Sequence, residues 1–195
     1  MFVLAIAGSP REDSRSRRLL DFAARELDVR GIAVRLISVR DLPAADLLHA
    51  RFDSPALREA AALVERAAGV LVATPVYQAA YSGILKAFLD LLPQRALSGK
   101  VVLPIVTGGS AAHMLALDYS LKPVLAALGA HPVLAGLYAL DSQIAWSPEQ
   151  GLWLAPEIVD RLQDGLKHLR HSLGWLAPAS TSIHSPAEIE CLVAG

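Results

Sequence analysis

Ser9, Arg11, Ser14, Arg15 and Ser16 crowd into the short segment behind the apolar run Phe2–Ala7. Hydroxyls and guanidiniums at this density form a donor set for an anion, and the forked guanidinium matches phosphate oxygens. The run Phe2–Ala7 reads as a buried strand. Gly8 and Pro10 break it, and a helical pattern starts near Ser16. The donors therefore sit at a strand-to-helix turn, where free backbone N–H groups and the helix dipole favour an anion. The plain alternative is a turn capped by Ser14 or Ser16.

The segment contains neither G-x-x-x-x-G-K-[ST] nor G-x-G-x-x-G. That argues against a P-loop and against a dinucleotide fingerprint at this strand. A phosphate held by hydroxyls points instead to a mononucleotide such as FMN. Two more polar loops fit a flavin ring. Pro75-Val76-Tyr77 follows the apolar run Gly69–Thr74 and offers backbone groups and an aromatic neighbour. Thr107-Gly108-Gly109-Ser110 closes the run Lys100–Thr107, and glycine there permits close backbone approach. Singly, Tyr77 and Tyr81 read as packing at a helix entry, and Gly108-Gly109 as a tight turn. Lys86 follows on the next helix.

The elements that must position these loops alternate. Strands are expected at Phe2–Ala7, Ala33–Val39, Gly69–Thr74, Lys100–Thr107 and Val133–Leu140. Helices are expected from Ser16 to Val29, Ser54 to Ala67, Gly83 to Leu92, Ala111 to Leu128 and Pro156 to Leu173, with an irregularity at Pro123. Buried strands each followed by a helix make an α/β, doubly wound parallel sheet covered on both faces. Ligands in such sheets bind outside the carboxyl ends of the strands, and all three polar loops fall on that edge. One domain over 1–174 is expected, followed by an extended or partly disordered tail over 175–195.

Composition narrows the partners. The formal net charge is −1, which gives no electrostatic case for nucleic acid or a membrane surface. No apolar run approaches the roughly 20 residues of a membrane span, and no secretory pattern opens the chain. Cys191 is the only cysteine, so a disulfide framework is excluded and a cytoplasmic setting fits. The histidines are scattered, and no metal site is expected. Hydrophobic residues make up 53% of the chain, and the mean hydropathy is +0.40. That excess suggests a homo-oligomer, assembled through the apolar face of Leu117, Leu121, Val124, Leu125 and Leu128.

Several longer segments are more specific. They are AGSPRxxSRS at Ala7–Ser16, DLLHARFDSPAL at Asp46–Leu57, VATPVYQAAYSGILKAFLDLLPQRAL at Val72–Leu97, GKVVLPIVTGGSAAH at Gly99–His113 and LDYSLKPVLAAL at Leu117–Leu128. Through them the chain resembles the NADPH-dependent FMN reductases of the flavodoxin-like superfamily, above all the reductase component of two-component alkanesulfonate monooxygenase systems. The likeness runs through nearly all of 1–142 and fades beyond.

The resemblance implies a five-stranded flavodoxin-like sheet of order 2-1-3-4-5. It implies hydride transfer from NADPH to FMN, with FMN as a substrate or loosely bound, and reduced FMN supplied to a partner FMN-dependent monooxygenase in sulfonate sulfur acquisition. It places the phosphate at Ser9, Arg11, Ser14, Arg15 and Ser16. It places the ring at Pro75, Val76, Tyr77, Thr107, Gly108, Gly109 and Ser110. Tyr119 matches a family tyrosine at a π-type irregularity in a tetramer interface, a candidate for controlling flavin exchange.

Hydride transfer itself needs no protein acid or base, so no catalytic residue is assigned. The amides of Gly108–Ser110 are candidates to stabilise reduced flavin, and His113 is a weaker one that structural packing also explains. The rivals are a quinone or azo reductase with tightly held FMN and a flavodoxin-like electron carrier. The near-neutral charge disfavours the carrier.

Overall fold

In the computed structural model, residues 1–176 are described. The strands are β1 (Val3–Ala7), β2 (Val34–Ser38), β3 (Gly69–Tyr77), β4 (Ala80–Tyr81), β5 (Val101–Gly108), β6 (Leu137–Leu140), β7 (Ile144–Ser147) and β8 (Gly151–Leu154). The helices are α1 (Arg15–Asp28), α2 (Ala44–Leu48), α3 (Pro55–Arg66), α4 (Gly83–Asp90), α5 (Lys122–Ala127) and α6 (Pro156–Leu176). The main sheet runs β2-β1-β3-β5-β6, all parallel. Those are the expected strands in the expected order, with β4 added as a short antiparallel partner of β3.

Alternation within the central strands feeds two cores. Leu4, Ile6, Val70 and Val72 face α3, α4 and α5. Val3, Ala5, Leu71 and Ala73 face α1 and α6. Strands buried on both faces are apolar at every position, which is why β1 reads as an unbroken run. α1 buries Leu19, Leu20, Ala23 and Leu27, the stripe its 3.6-residue period dictates. Ser54 precedes Pro55 at the start of α3, where a missing N–H costs nothing.

Several expectations needed correction. The stretch Ala111–Leu128 is not one helix. It is a 3₁₀ turn at Ala111–His113, a π-helix at Leu117–Leu121 and then α5, and the π-helix carries Tyr119, where the resemblance implied a π-type irregularity. Pro123 falls in the first turn of α5, where its missing donor is harmless. The apolar face proposed as a subunit contact points inward. Leu117, Leu121 and Leu125 are buried in the protomer's own core, with Val124 and Leu128 packed on it. The exposed apolar residues of this segment are Met114, Leu115 and Tyr119. β3 runs on through Pro75 to Tyr77, β6 begins only at Leu137, and the antiparallel pair β7–β8 was not expected at all. α6 extends through Leu176, and residues 177–195, with Cys191, lie outside the described residues.

Candidate active site

The floor of the site is the carboxyl edge of β1, β3 and β5, and it is tied crosswise. The Gly8 N–H donates to the Ala73 carbonyl at 2.7 Å. The Ser82 hydroxyl donates to the Gly8 carbonyl, and the Ser82 N–H donates to Thr74 Oγ1 at 3.1 Å. Thr74 Oγ1 in turn donates to the Pro75 carbonyl at 3.0 Å. Ser82 Oγ also accepts the Leu85 N–H and so caps α4. This packing requires glycine at position 8. A Cβ there would stand 2.9 Å from Leu85 Cβ.

The first loop is hydroxyl-rich and partly sunk. Ser9, Ser14 and Ser16 are buried. The Arg11 N–H donates to Ser9 Oγ at 3.1 Å, and the Ser14 and Ser16 hydroxyls share a bond of 2.8 Å. Ser14 occupies the N-cap of α1, yet its side chain makes no capping bond. A simple capped turn therefore does not account for it. Arg11 and Arg15 are exposed above this floor.

The β5 loop is fixed from β6. The Tyr138 hydroxyl donates to the Ser110 carbonyl at 2.7 Å. Burial, with the Asp141 carboxylate nearby, pushes the Tyr138 phenol above its ordinary pKa, so it remains a donor. A side chain on Gly108 would overlap that hydroxyl. A Cβ on Gly109 would meet only Asp141 Oδ2, at 3.8 Å, so the backbone there is open to a ligand.

Between these loops lies a cleft of about 480 Å³. Arg11, Ser14 and Arg15 line one end, Pro75, Val76 and Tyr77 one wall, and Thr107, Gly108 and Gly109 the base. Ser9 instead opens on a neighbouring cleft, and Ser16 lies beneath the loop. Ser110 holds the loop through its carbonyl and, through Oγ, the Ala112 N–H at 3.2 Å. His113 is exposed outside the cleft lining, and so is Tyr119. Lys86 is on the surface, paired with Asp90 at 2.6 Å. Among the described residues no cluster of metal-binding side chains occurs, and no helix is long and apolar enough to cross a membrane.

The far wall was missed in the sequence. Asp141 pairs with Arg15 at 3.5 Å. Ile144, Ala145 and Trp146 of β7 face the same cleft. The Arg18 guanidinium stacks 3.7 Å from the centroid of the Trp146 ring. The signal was present: the short apolar runs IAWS and GLWL, each with a tryptophan, flank the turn Pro148–Gln150.

The donor set fits a phosphate, and the volume lies within the roughly 300–1,000 Å³ usual for cofactor sites. The exposed backbone at Gly109 leaves room for the edge of a flat ring.

Comparison with known proteins agrees with this chemistry. The model of the NADPH-dependent FMN reductase family matches residues 1–145. The chain is 53% identical over 171 residues to an FMN reductase (NADPH) of Pseudomonas putida, covering 86% of this chain and 85% of that protein. It is 54% identical over 144 residues to the FMN reductase (NADPH) of Escherichia coli, covering 74% and 75%. Among solved structures, the apo form of the NADH:FMN oxidoreductase EMOB superposes with a TM-score of 0.79 at 40% identity, covering 87% of this chain and 88% of that one. The chain thus belongs to the NADPH-dependent FMN reductase family, and its flavodoxin-like sheet carries an enzyme that uses NADPH and FMN.

Proposed function

We propose that FMN lies in this cleft with its phosphate on the first loop and its ring between the β3 and β5 loops. Reduced FMN then leaves for a partner monooxygenase. The observation that carries the reading is the meeting of three separate polar loops in one cleft. When bound, FMN supplies the acceptor for the hydride of NADPH.

The chain's own residues do the rest. Arg11, Arg15 and Ser14 hold the phosphate by charge-assisted bonds. Pro75–Tyr77 orients the ring, and Tyr77, at 43% exposure, keeps surface available for a second ring. The Gly109 amide, on backbone open to the cleft, would stabilise negative charge on the reduced flavin as a fixed dipole without reorganisation. Orientation rather than proton transfer is the protein's contribution.

Delivery to a monooxygenase, in sulfonate sulfur acquisition, is supported by the motifs at Asp46–Leu57 and Leu117–Leu128. Self-assembly into a tetramer is supported by the exposed Met114, Leu115 and Tyr119 at the π-helix. The single cysteine fits a reducing cytoplasm.

The test is NADPH oxidation by flavin-free protein, with and without added FMN. Turnover proportional to added FMN, with flavin lost on gel filtration, supports the reading. Flavin that stays bound through repeated turnover with a quinone or azo acceptor overturns FMN release.

A further inference from the structure

The cleft continues past its hairpin wall. Arg18 and Trp146 also line a second cleft, of about 580 Å³, that runs along α1 beneath β7–β8. Phe22, Leu152 and Val159 give this second cleft an apolar lining suited to a flat base. Its acids are already engaged: Asp21 by Arg17 at 2.8 Å and Glu26 by Arg30 at 2.7 Å. Arg25 also lines it, is exposed, and has no carboxylate partner among the described residues. The step from Arg18 to Arg25 spans about 10 Å of helix axis at roughly 1.5 Å per residue. An extended dinucleotide bridges such a step.

We propose that the second cleft takes the adenosine 2′-phosphate end of NADPH. Arg25 meets the 2′-phosphate, and Trp146, backed by Arg18, forms the shared wall over which the dinucleotide passes from one cleft to the other. The inference rests on the reading that the first cleft holds the flavin. A rival lies on the other side of the first loop, where Arg17 and Arg40 line a cleft of about 340 Å³. There Arg40 is met by Glu12 at 3.3 Å and Arg17 by Asp21 at 2.8 Å, and the third arginine, Arg11, is already given to the flavin phosphate in the reading above, so none is left for a second phosphate.

The experiment is calorimetric titration of flavin-free protein with 2′,5′-ADP and with 5′-AMP. The parent is expected to bind 2′,5′-ADP more tightly than 5′-AMP. Arg25→Ala should lower 2′,5′-ADP affinity on the order of tenfold to a hundredfold, the worth of a charge-assisted bond. It should leave 5′-AMP and FMN affinities near parental, while Trp146→Ala weakens both adenosine ligands. Arg25→Gln, which keeps most of the side chain, gives the same result if folding is not the cause. Parental 2′,5′-ADP affinity in both Arg25 variants overturns the inference, as does no measurable binding to the parent, or loss only in Arg40→Ala. These outcomes leave FMN reduction standing if NADPH is still oxidised with added FMN. Absence of that oxidation defeats the flavin reading itself.

Discussion

Replacing Gly108 by alanine tests how the β5 loop is held. The new methyl would overlap the Tyr138 hydroxyl, and that hydroxyl is the donor to the Ser110 carbonyl at 2.7 Å. Tyr138 must swing away, so the variant suffers overpacking and loses the bond. Overpacking costs about 1–3 kcal/mol, and the bond is worth about 1 kcal/mol. Tyr138→Phe alone loses only the bond. In the double variant the hydroxyl is gone and the nearest ring atom, Cζ, is 3.1 Å from the methyl, a few tenths of an ångström too close. The double variant should therefore cost about 1–2 kcal/mol less than the two single changes summed. Urea unfolding of the four proteins gives the cycle, and FMN titration of each reports the loop, with Gly108→Ala the weakest binder. Additivity within about 0.5 kcal/mol would refute the claim that the Tyr138 hydroxyl fills the space beside Gly108.

Arg11→Ala should weaken FMN by roughly tenfold to a hundredfold while leaving riboflavin, which has no phosphate, nearly unaffected. Equal losses in fluorescence titrations of the two flavins count against a phosphate at the first loop. Ser82→Ala removes both the cap of α4 and the partner of the Gly8 carbonyl, and should lower the unfolding free energy by about 2 kcal/mol in urea. Deleting Tyr119 should restore a regular helix across the π-turn at Leu117–Leu121, make FMN co-purify and slow NADPH oxidation with free FMN. A colourless variant turning over at the parental rate would make Tyr119 a surface residue only. The raised Tyr138 pKa contributes stability that is complete below the unfolded value of 10.0 and is lost as pH rises through the folded value. Tyr138→Phe should therefore flatten the alkaline limb of a stability-against-pH curve measured above about pH 10.

What was legible in the sequence was what burial dictates. β1, β3 and β5 lie between two layers of helix, so their buried stretches are apolar up to Thr74 and Thr107 at the carboxyl edge. Their exit loops followed, and with them Arg11, Ser14, Arg15, Pro75–Tyr77 and Thr107–Gly109 at the cleft, whereas the strand order came from the family resemblance. What escaped notice depended on local conformations that no residue type announced. The β3–β4 turn places Gln78 and Ala79 at φ 47° and 63°, left-handed values that usually call for glycine or asparagine. Pro75 looked like a terminator, yet β3 continues through it, pairing with β5 up to Thr107. The Leu117–Leu125 stripe was assigned outward because apolar content was high. A sheet covered on both faces consumes that content within one protomer.

The cross-tied floor has a consequence for the protein's lifetime. Gly8, Thr74 and Ser82 come from separate stretches of chain, and their bonds stitch the sheet edge at right angles to the strands. A reductase that hands its flavin on, as proposed above, spends part of every cycle empty. A site ordered only by its ligand would open local backbone to proteases at each release, since cleavage follows the population of opened forms. Here the stitching belongs to the polypeptide, so the empty interval does not depend on flavin for protection. Degradation in a flavin-starved cell would then be set by global unfolding rather than by the occupancy of the cleft.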